Sequence, residues 1–417
     1  MGTHNISPFL KRNKIKTFGN SMYPLLMSND IVYFAEIKWN NIQINDIIII
    51  KKRNILITHR VIYKTNTYLI TKGDNNLKAD GKVYKKDIVG KLEKVKRGNT
   101  EFHPELFYLL QSSFYLDEIK QMSILFRKYN INFLFLKGLP LHLFYEKKIP
   151  RRLYADCDIL VNLADLHKIK RIFLNLGYQI SKNDLNAQKK SNFGELNLYK
   201  KIQNVVVVFD IHVEPVFMMT QINLTKELYS ERYMQQMSEE FLQNKKEIIV
   251  DKVSYPILQP SYLIMYVCLH FFHHNFKGSF RLSFIHTIIC KEKDNKQVWS
   301  EIILTTHKYN LQSFVYPVFL LLKKYYKTQI SNSIIERVKP NNYMQQKIGE
   351  HFVSDSFLND ESRLFGGINR LILLIVLSPN PIYKKVLLIF NTEVWQLFFV
   401  IMKKILLFFK QSKKRVE

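Results

Sequence analysis

The spacing of the apolar residues changes from β-like to helical near Glu105, and that change decides how many kinds of fold the chain can hold. Before it, residues 15 to 95 read as short runs rich in β-branched and aromatic residues. Examples are "DIVYFAEI", "DIIIIKK", "ILITHRVIYK", "TYLITKG" and "DIVGKLEKV", divided by Asn, Asp and Gly turn signals. Such runs predict an all-β module. From Glu105 the spacing becomes helical, as in "ELFYLLQSSFYLDEIKQMSILFRKYN", and strands return at "FLFLKG", "DCDILV" and "VVVVFDIHVE". This second stretch reads as α/β (α+β), and from about Ser230 helical spacing dominates. The expected fold class is therefore multidomain: an all-β module over residues 1–100, an α/β domain over 101–300, and a helical extension with an apolar, basic tail over 301–417.

A chain of 417 residues, 47% of them hydrophobic, is long enough for two or three separate cores. Its formal charge of +27 calls for something anionic, whether nucleic acid, nucleotide phosphates or a lipid surface. Because the basic residues are spread along the whole chain, background composition accounts for part of that excess. No helix-turn-helix pattern and no interleaving of aromatic and basic residues supports nucleic acid as the partner. Cys157, Cys268 and Cys290 are odd in number and far apart, which indicates neither a disulfide framework nor a zinc site and makes a reducing compartment the default. The opening "MGTHNISPFLKRNKIKTFGNSM" lacks the apolar stretch of a secretion signal or anchor, so the expected location is cytoplasmic. Residues 361–417 hold ten Lys or Arg against three acids, around apolar runs broken by Pro379, Pro381 and paired lysines. That tail has two readings: a piece lying flat on the inner face of an anionic membrane, or the last helix of the preceding domain.

Two groups of residues carry chemistry. In "GNSMYP", Ser21 sits in a turn before a strand, and a serine becomes a useful nucleophile only when a base takes its proton. "ITHRVIYK" supplies His59 within a β-branched run, and "TKGDNNLKAD" supplies Asp74 and Asp80, either of which could hold the second imidazole nitrogen. Taken in order, "GNSMYP", "NDIIII", "ITHRV" and "TKGDNN" with Asp80 resemble the successive boxes of the type I signal peptidase family, in its Ser/His branch of endoplasmic-reticulum, archaeal and sporulating-bacterium enzymes. The resemblance covers residues 15 to 95. It implies Ser21 as nucleophile and part of the oxyanion hole, His59 as general base, Asp80 as the orienting carboxylate, Asp74 holding the turn, and a peptide or preprotein as substrate. Members of that family carry a membrane segment ahead of the serine, whereas here only a short, mostly polar stretch precedes it. Two readings accommodate that difference: docking of the domain to the membrane by other parts of the chain or by a partner, or cleavage of a leader from a peptide inside the cell.

The second group begins at "FLFLKGLPLHLFY", where a strand ends at Lys137 and Gly138 and a helix opens, a geometry that offers backbone N–H groups to phosphate. In "RRLYADCDILVN", Asp156 and Asp158 fall on one face of a strand, and Asp210 ends the strand "VVVVFD". Three such carboxylates suit Mg²⁺ ions bridging a nucleoside triphosphate. The arrangement is similar to the polymerase-β-like nucleotidyltransferase superfamily. More narrowly, "LKGLPL", "RLYADCDILV", "LGYQI", "FDIHVEP" and "LQPSYLIMYVCLHFFHH" resemble the uncharacterised nucleotidyltransferase family of bacteria, over residues 105 to 300. The resemblance implies transfer of NMP from an NTP to an acceptor, with release of pyrophosphate. Lys137, Gly138 and Arg152 are the candidate phosphate contacts; Leu139 and Pro140 replace the Gly or Ser common in the superfamily. For His212 core packing and acceptor binding both stand, and His270 and His274, four apart without the Glu of a zinc protease, read as structural.

The resulting expectation is a bifunctional protein that cuts and modifies a peptide or protein. The competing expectation is a regulatory or binding protein, with a self-cleaving or inactive peptidase-like module and a second domain that binds nucleotide without transferring it.

Overall fold

A computed structural model describes residues 13–180, 195–214, 227–361 and 365–403, apart from positions 54, 204, 393, 397, 400 and 401. The chain clusters into two units. The first comprises Met1–Gln111 with Ile149–Leu153 and Leu358–Asp360; the second comprises Ser112–Lys148, Tyr154–Phe357 and Glu361–Glu417.

The first unit is built on an antiparallel sheet. Its strands are β1 (Asn13–Lys16), β2 (Ile31–Ala35), β3 (Ile47–Lys52), β4 (Ile55–Lys64), β5 (Leu69–Lys72), β6 (Lys82–Val83), β7 (Ile88–Arg97) and β8 (Thr100–Phe102). The spatial order is β1-β2-β7-β3-β4-β5-β6, with β8 paired to β7. The run of four isoleucines in β3 shows why the sheet is packed on both faces. Ile47 and Ile49 enter one core with Val32, Phe34, Leu92 and Val95, while Ile48 and Ile50 enter the other with Val61, Leu69 and Val83. At Gly90, where β7 crosses from β2 to β3, a Cβ would lie 2.6 Å from the Ala35 carbonyl oxygen, so only glycine fits.

The second unit surrounds a mixed sheet of β9 (Phe133–Phe135), β10 (Cys157–Val161), β11 (Gln179–Ile180), β12 (Glu195–Ile202), β13 (Val205–His212), β14 (Lys245–Val250) and β15 (Val253–Leu258). Their order is β11-β12-β13-β10-β9-β15-β14. The β10–β13 and β9–β15 pairs are parallel and the others antiparallel. β10 is buried at every residue, which its composition, CDILV, allows on both faces apart from its one acid.

Helices flank this sheet and follow it. α1 (Pro104–Lys128) begins in the first unit, where Phe107 and Tyr108 join the core, and continues into the second. Then come α2 (Leu139–Glu146), α3 (Leu166–Asn175), α4 (Glu231–Gln243), α5 (Pro260–His273), α6 (Ser279–Glu292), α7 (Lys296–Lys308), α8 (Gln312–Tyr326), α9 (Asn332–Arg337), α10 (Tyr343–His351), α11 (Gly366–Leu377) and α12 (Ile382–Leu387). Helix α5, buried over most of its circumference, is the centre of this helical part. Among the described residues, no helix is long and apolar enough to cross a membrane.

Candidate functional site

In the first unit Ser21 lies in a turn whose next residues, Met22, Leu25 and Leu26, are buried in the core and fix its position. β4 carries His59 and Arg60 side by side, and because side chains alternate across a strand they serve two different networks. His59 Nε2 is 2.9 Å from Ser21 Oγ, and His59 Nδ1 is 2.6 Å from Asp80 Oδ2. A carboxylate accepts only, so Nδ1–H donates to Asp80; Nε2 then keeps its lone pair and accepts from the Ser21 hydroxyl. Thr71, wholly buried, donates from Oγ1 to the same Asp80 oxygen at 2.7 Å, and the Asp80 backbone N–H donates to the Thr71 carbonyl.

Arg60 makes a fork to Asp74, with Nε to Oδ1 at 2.7 Å and Nη2 to Oδ2 at 2.5 Å. It also donates to the Tyr108 hydroxyl and to the Asn45 carbonyl. Burial alone would lower the Arg60 pKa, but the hydrogen bond and charge of Asp74 outweigh it and raise it. Asp80 thus faces the imidazole and Asp74 faces the guanidinium. Asp74 follows Gly73, where a Cβ would stand 2.6 Å from the Ser21 carbonyl oxygen and 2.9 Å from His59 Nε2. Only glycine lets the backbone pass this close to the serine and histidine. The Asn75 N–H completes the enclosure by donating to the Ser21 carbonyl at 2.8 Å. Sequence reasoning assigned no part to Thr71, Arg60 or Gly73. The signal for Arg60 was present, since a charged residue next to a half-buried histidine in an apolar strand needs a partner of its own.

In the second unit the parallel register of β10 and β13 sets Asp158 directly beside Asp210. Asp156 lies just before β10, and ligand oxygens of Asp156, Asp158 and Asp210 all lie within 4.8 Å of one another. That separation is about twice a metal–oxygen bond, the spacing at which carboxylates share a hard cation. Lys137, between β9 and α2, reaches the same place, with Nζ 3.2 Å from Asp156 Oδ1 and 2.9 Å from Asp158 Oδ2. His212 Nε2 is 3.1 Å from Asp158 Oδ1. Burial alone would raise the Asp158 carboxyl, but the Lys137 charge and the His212 hydrogen bond lower its pKa to about 2. Burial and the Asp158 charge instead raise Asp156. Gly138 has φ +113°, and a Cβ there would lie 3.2 Å from Cys157 Sγ, so the turn carrying Lys137 packs directly on the strand carrying the acids. Tyr115, in α1, ties the two strands from behind: its hydroxyl donates to the Ala155 carbonyl and accepts from the Val208 N–H, each at 3.1 Å. Arg152 belongs to Ile149–Leu153, a segment of the first unit.

His270 and His274 do share a side of α5 and its end, with ring centroids 4.8 Å apart, and His273 stacks beside them. Among the described residues only the three aspartates form a group that could hold a metal. His274 Nδ1 is 3.4 Å from Glu361 Oε2, and Arg370 donates to His273. Burial, reinforced by nearby Lys137, Arg281 and Arg370, holds His270 and His273 well below the usual imidazole range and His274 down to about 2. These rings are neutral in the folded chain, whereas in the unfolded chain they take protons near pH 6.5. As pH falls below that value the unfolded state gains protons that the folded state refuses. Stability is therefore lost, by at most about 1.4 kcal/mol per fully buried histidine per pH unit, and by less for partly exposed rings. The urea midpoint is expected to fall steadily from pH 7 to pH 5, and less steeply in His270→Gln/His274→Gln; equal slopes would remove the explanation.

The model of a family described as "Uncharacterised nucleotidyltransferase" matches residues 107–327, slightly more than half of the chain. A solved structure, that of an antigenic nucleotidyltransferase-like protein from Paracoccidioides brasiliensis, is similar at 12% identity with a TM-score of 0.29. The match covers 55% of this chain and 95% of that one. No curated protein matches.

Proposed function

The chain belongs to the uncharacterised nucleotidyltransferase family, and we propose that its second unit transfers a nucleoside monophosphate from an NTP; on the separate ground of its Ser21–His59–Asp80 geometry, we propose that the β module ahead of it is a serine endopeptidase of the signal-peptidase type. On this reading residues 1–100 cut a leader or signal peptide, 101–300 transfer the nucleotide and 301–417 extend the second activity.

The observation that carries the transferase reading is the convergence of three carboxylates from two strands beside a lysine. Like charges this close repel unless cations compensate them, and carboxylates from two strands meeting beside Lys137 suit a bound metal ion. Asp156, Asp158 and Asp210 would hold Mg²⁺, whose chemistry is to neutralise charge on the phosphate oxygens of a bound NTP. An acceptor oxygen then attacks the α-phosphorus while its bond to the bridging oxygen breaks and pyrophosphate leaves. Lys137 serves here by turning from the carboxylates toward the phosphates, and Gly138 by letting that turn sit against β10. Isothermal titration of the full chain with NTP and Mg²⁺ is the test. Saturable, metal-dependent binding that disappears in Asp156→Ala/Asp158→Ala is expected; no heat, or heat unchanged by the double substitution, refutes the reading.

The peptidase reading is favoured by a different observation, the continuous chain Ser21 Oγ, His59, Asp80 and Thr71. In it His59 takes the serine proton as Oγ attacks the scissile carbonyl, then returns it to the leaving amine. Asp80 keeps Nε2 free for that task and stabilises the imidazolium that forms. The Ser21 backbone N–H contributes to the oxyanion site.

A further inference from the structure

The end of the second unit presents an apolar face to solvent. Ile382 is 80% exposed, Phe390 77% and Phe399 66%, and Tyr383, Ile389 and Trp395 are exposed with them. Single exposed apolar residues are ordinary, whereas this many large ones within about twenty positions mark a surface that meets something. The aromatic rings form a group of their own, Trp395 lying 6.0 Å from Phe398 and 6.5 Å from Phe399 between ring centroids. Lysines accompany them: Lys384 and Lys385 lie in α12, and Lys403 is exposed.

We propose that this face docks on the surface of an anionic phospholipid bilayer, lying in the interfacial region without crossing it. Exposed aromatic and branched side chains enter the headgroup boundary, while lysines beside them meet phosphate groups. The chain's charge of +27 draws it toward such a surface from any approach. α12 is only six residues long and follows Pro381, and no described helix can span, so the arrangement suits lying on a membrane and not traversing it. A second copy of the chain fits poorly, because pairing this face with itself would bring two sets of lysines together with almost no acid to oppose them.

Full-length protein would be floated with vesicles of phosphatidylcholine alone, and of phosphatidylcholine mixed with phosphatidylglycerol, at low and at high salt. The expected result is association with the anionic vesicles, weakened by salt, and a blue shift of tryptophan emission that Trp395→Phe removes while Trp39 and Trp299 remain. Ile382→Glu/Phe390→Glu/Phe399→Glu changes exposed residues only and should lower partitioning at least about tenfold. Lys384→Glu/Lys403→Glu should lower it for anionic vesicles specifically. Failure to float with either vesicle overturns the proposal, as does equal binding to neutral vesicles or binding unchanged by the apolar triple substitution. Sedimentation equilibrium covers the remaining occupant: self-association that the triple substitution abolishes, in a protein that ignores vesicles, assigns the face to a second copy and also overturns the proposal.

Discussion

Ser21→Ala is expected to leave the chain folded and to reduce cleavage of a susceptible peptide by on the order of 10⁶-fold, the loss typical when a serine nucleophile is removed. Asp80→Asn should cost roughly 10⁴-fold, because an amide in that position stabilises the wrong imidazole tautomer. Thr71→Val should fall between wild type and Asp80→Asn, since Asp80 Oδ2 would lose one donor and keep the imidazole. Asp74→Asn should act differently. Its carboxylate pairs with Arg60 and does not touch His59, so the substitution is expected to lower stability, by about 1–3 kcal/mol for a buried arginine that loses an exposed partner, and to spare the chemistry of whatever remains folded. Mass spectrometry of peptide products gives the rates, and urea unfolding gives the stabilities. Processing unchanged in Ser21→Ala, or an Asp74→Asn defect that is catalytic in a fully stable protein, would contradict the assignment.

How much of this the sequence discloses depends on whether a property is local. The β-rich reading of residues 15 to 95 rests on alternation and turn residues, which act over a few positions; β2, β3, β4, β5 and β7 lie where the quoted runs fall, while the two-residue β6 lies outside them. The four isoleucines of β3 are legible in the same way, as a run too apolar to face water on either side. Choosing between Asp74 and Asp80 as the partner of His59 is not local. Both are near in sequence, and the choice is made by β5, whose Thr71 binds Asp80, and by Arg60, which takes Asp74. In the second unit, period two places Asp156 and Asp158 on one face, but nothing in the sequence tells that β13 runs parallel to β10 in the register that aligns Asp210 with Asp158. Strand pairing at that separation is decided by the whole sheet. Lys137 was assigned to phosphate from its place after a strand; its bridge between two carboxylates depends on β9 returning antiparallel beside β10.

The same three carboxylates make the second large expectation. Asp158 is the pivotal one: it is buried, receives Lys137 and His212, and stands beside Asp210 in the register. Asp158→Asn keeps the shape of the side chain while removing its charge, so nucleotidyl transfer measured by release of pyrophosphate should fall by at least roughly 10³-fold, equivalent to about 4 kcal/mol of transition-state stabilisation. Lys137→Ala separates two parts that this lysine can play. If it chiefly compensates the acids, its loss leaves them more repulsive, and tighter Mg²⁺ binding with little loss of rate is expected; if it handles phosphate, the rate falls and KM for NTP rises while the metal requirement is unchanged. The proposed chemistry predicts the second outcome, because a metal held by Asp156, Asp158 and Asp210 would itself compensate the acids and leave Lys137 to the phosphates. Transfer persisting at wild-type rate in Asp158→Asn would show that the acids do not hold the catalytic metal, and would leave His212 and Lys137 as ordinary partners of a structural carboxylate.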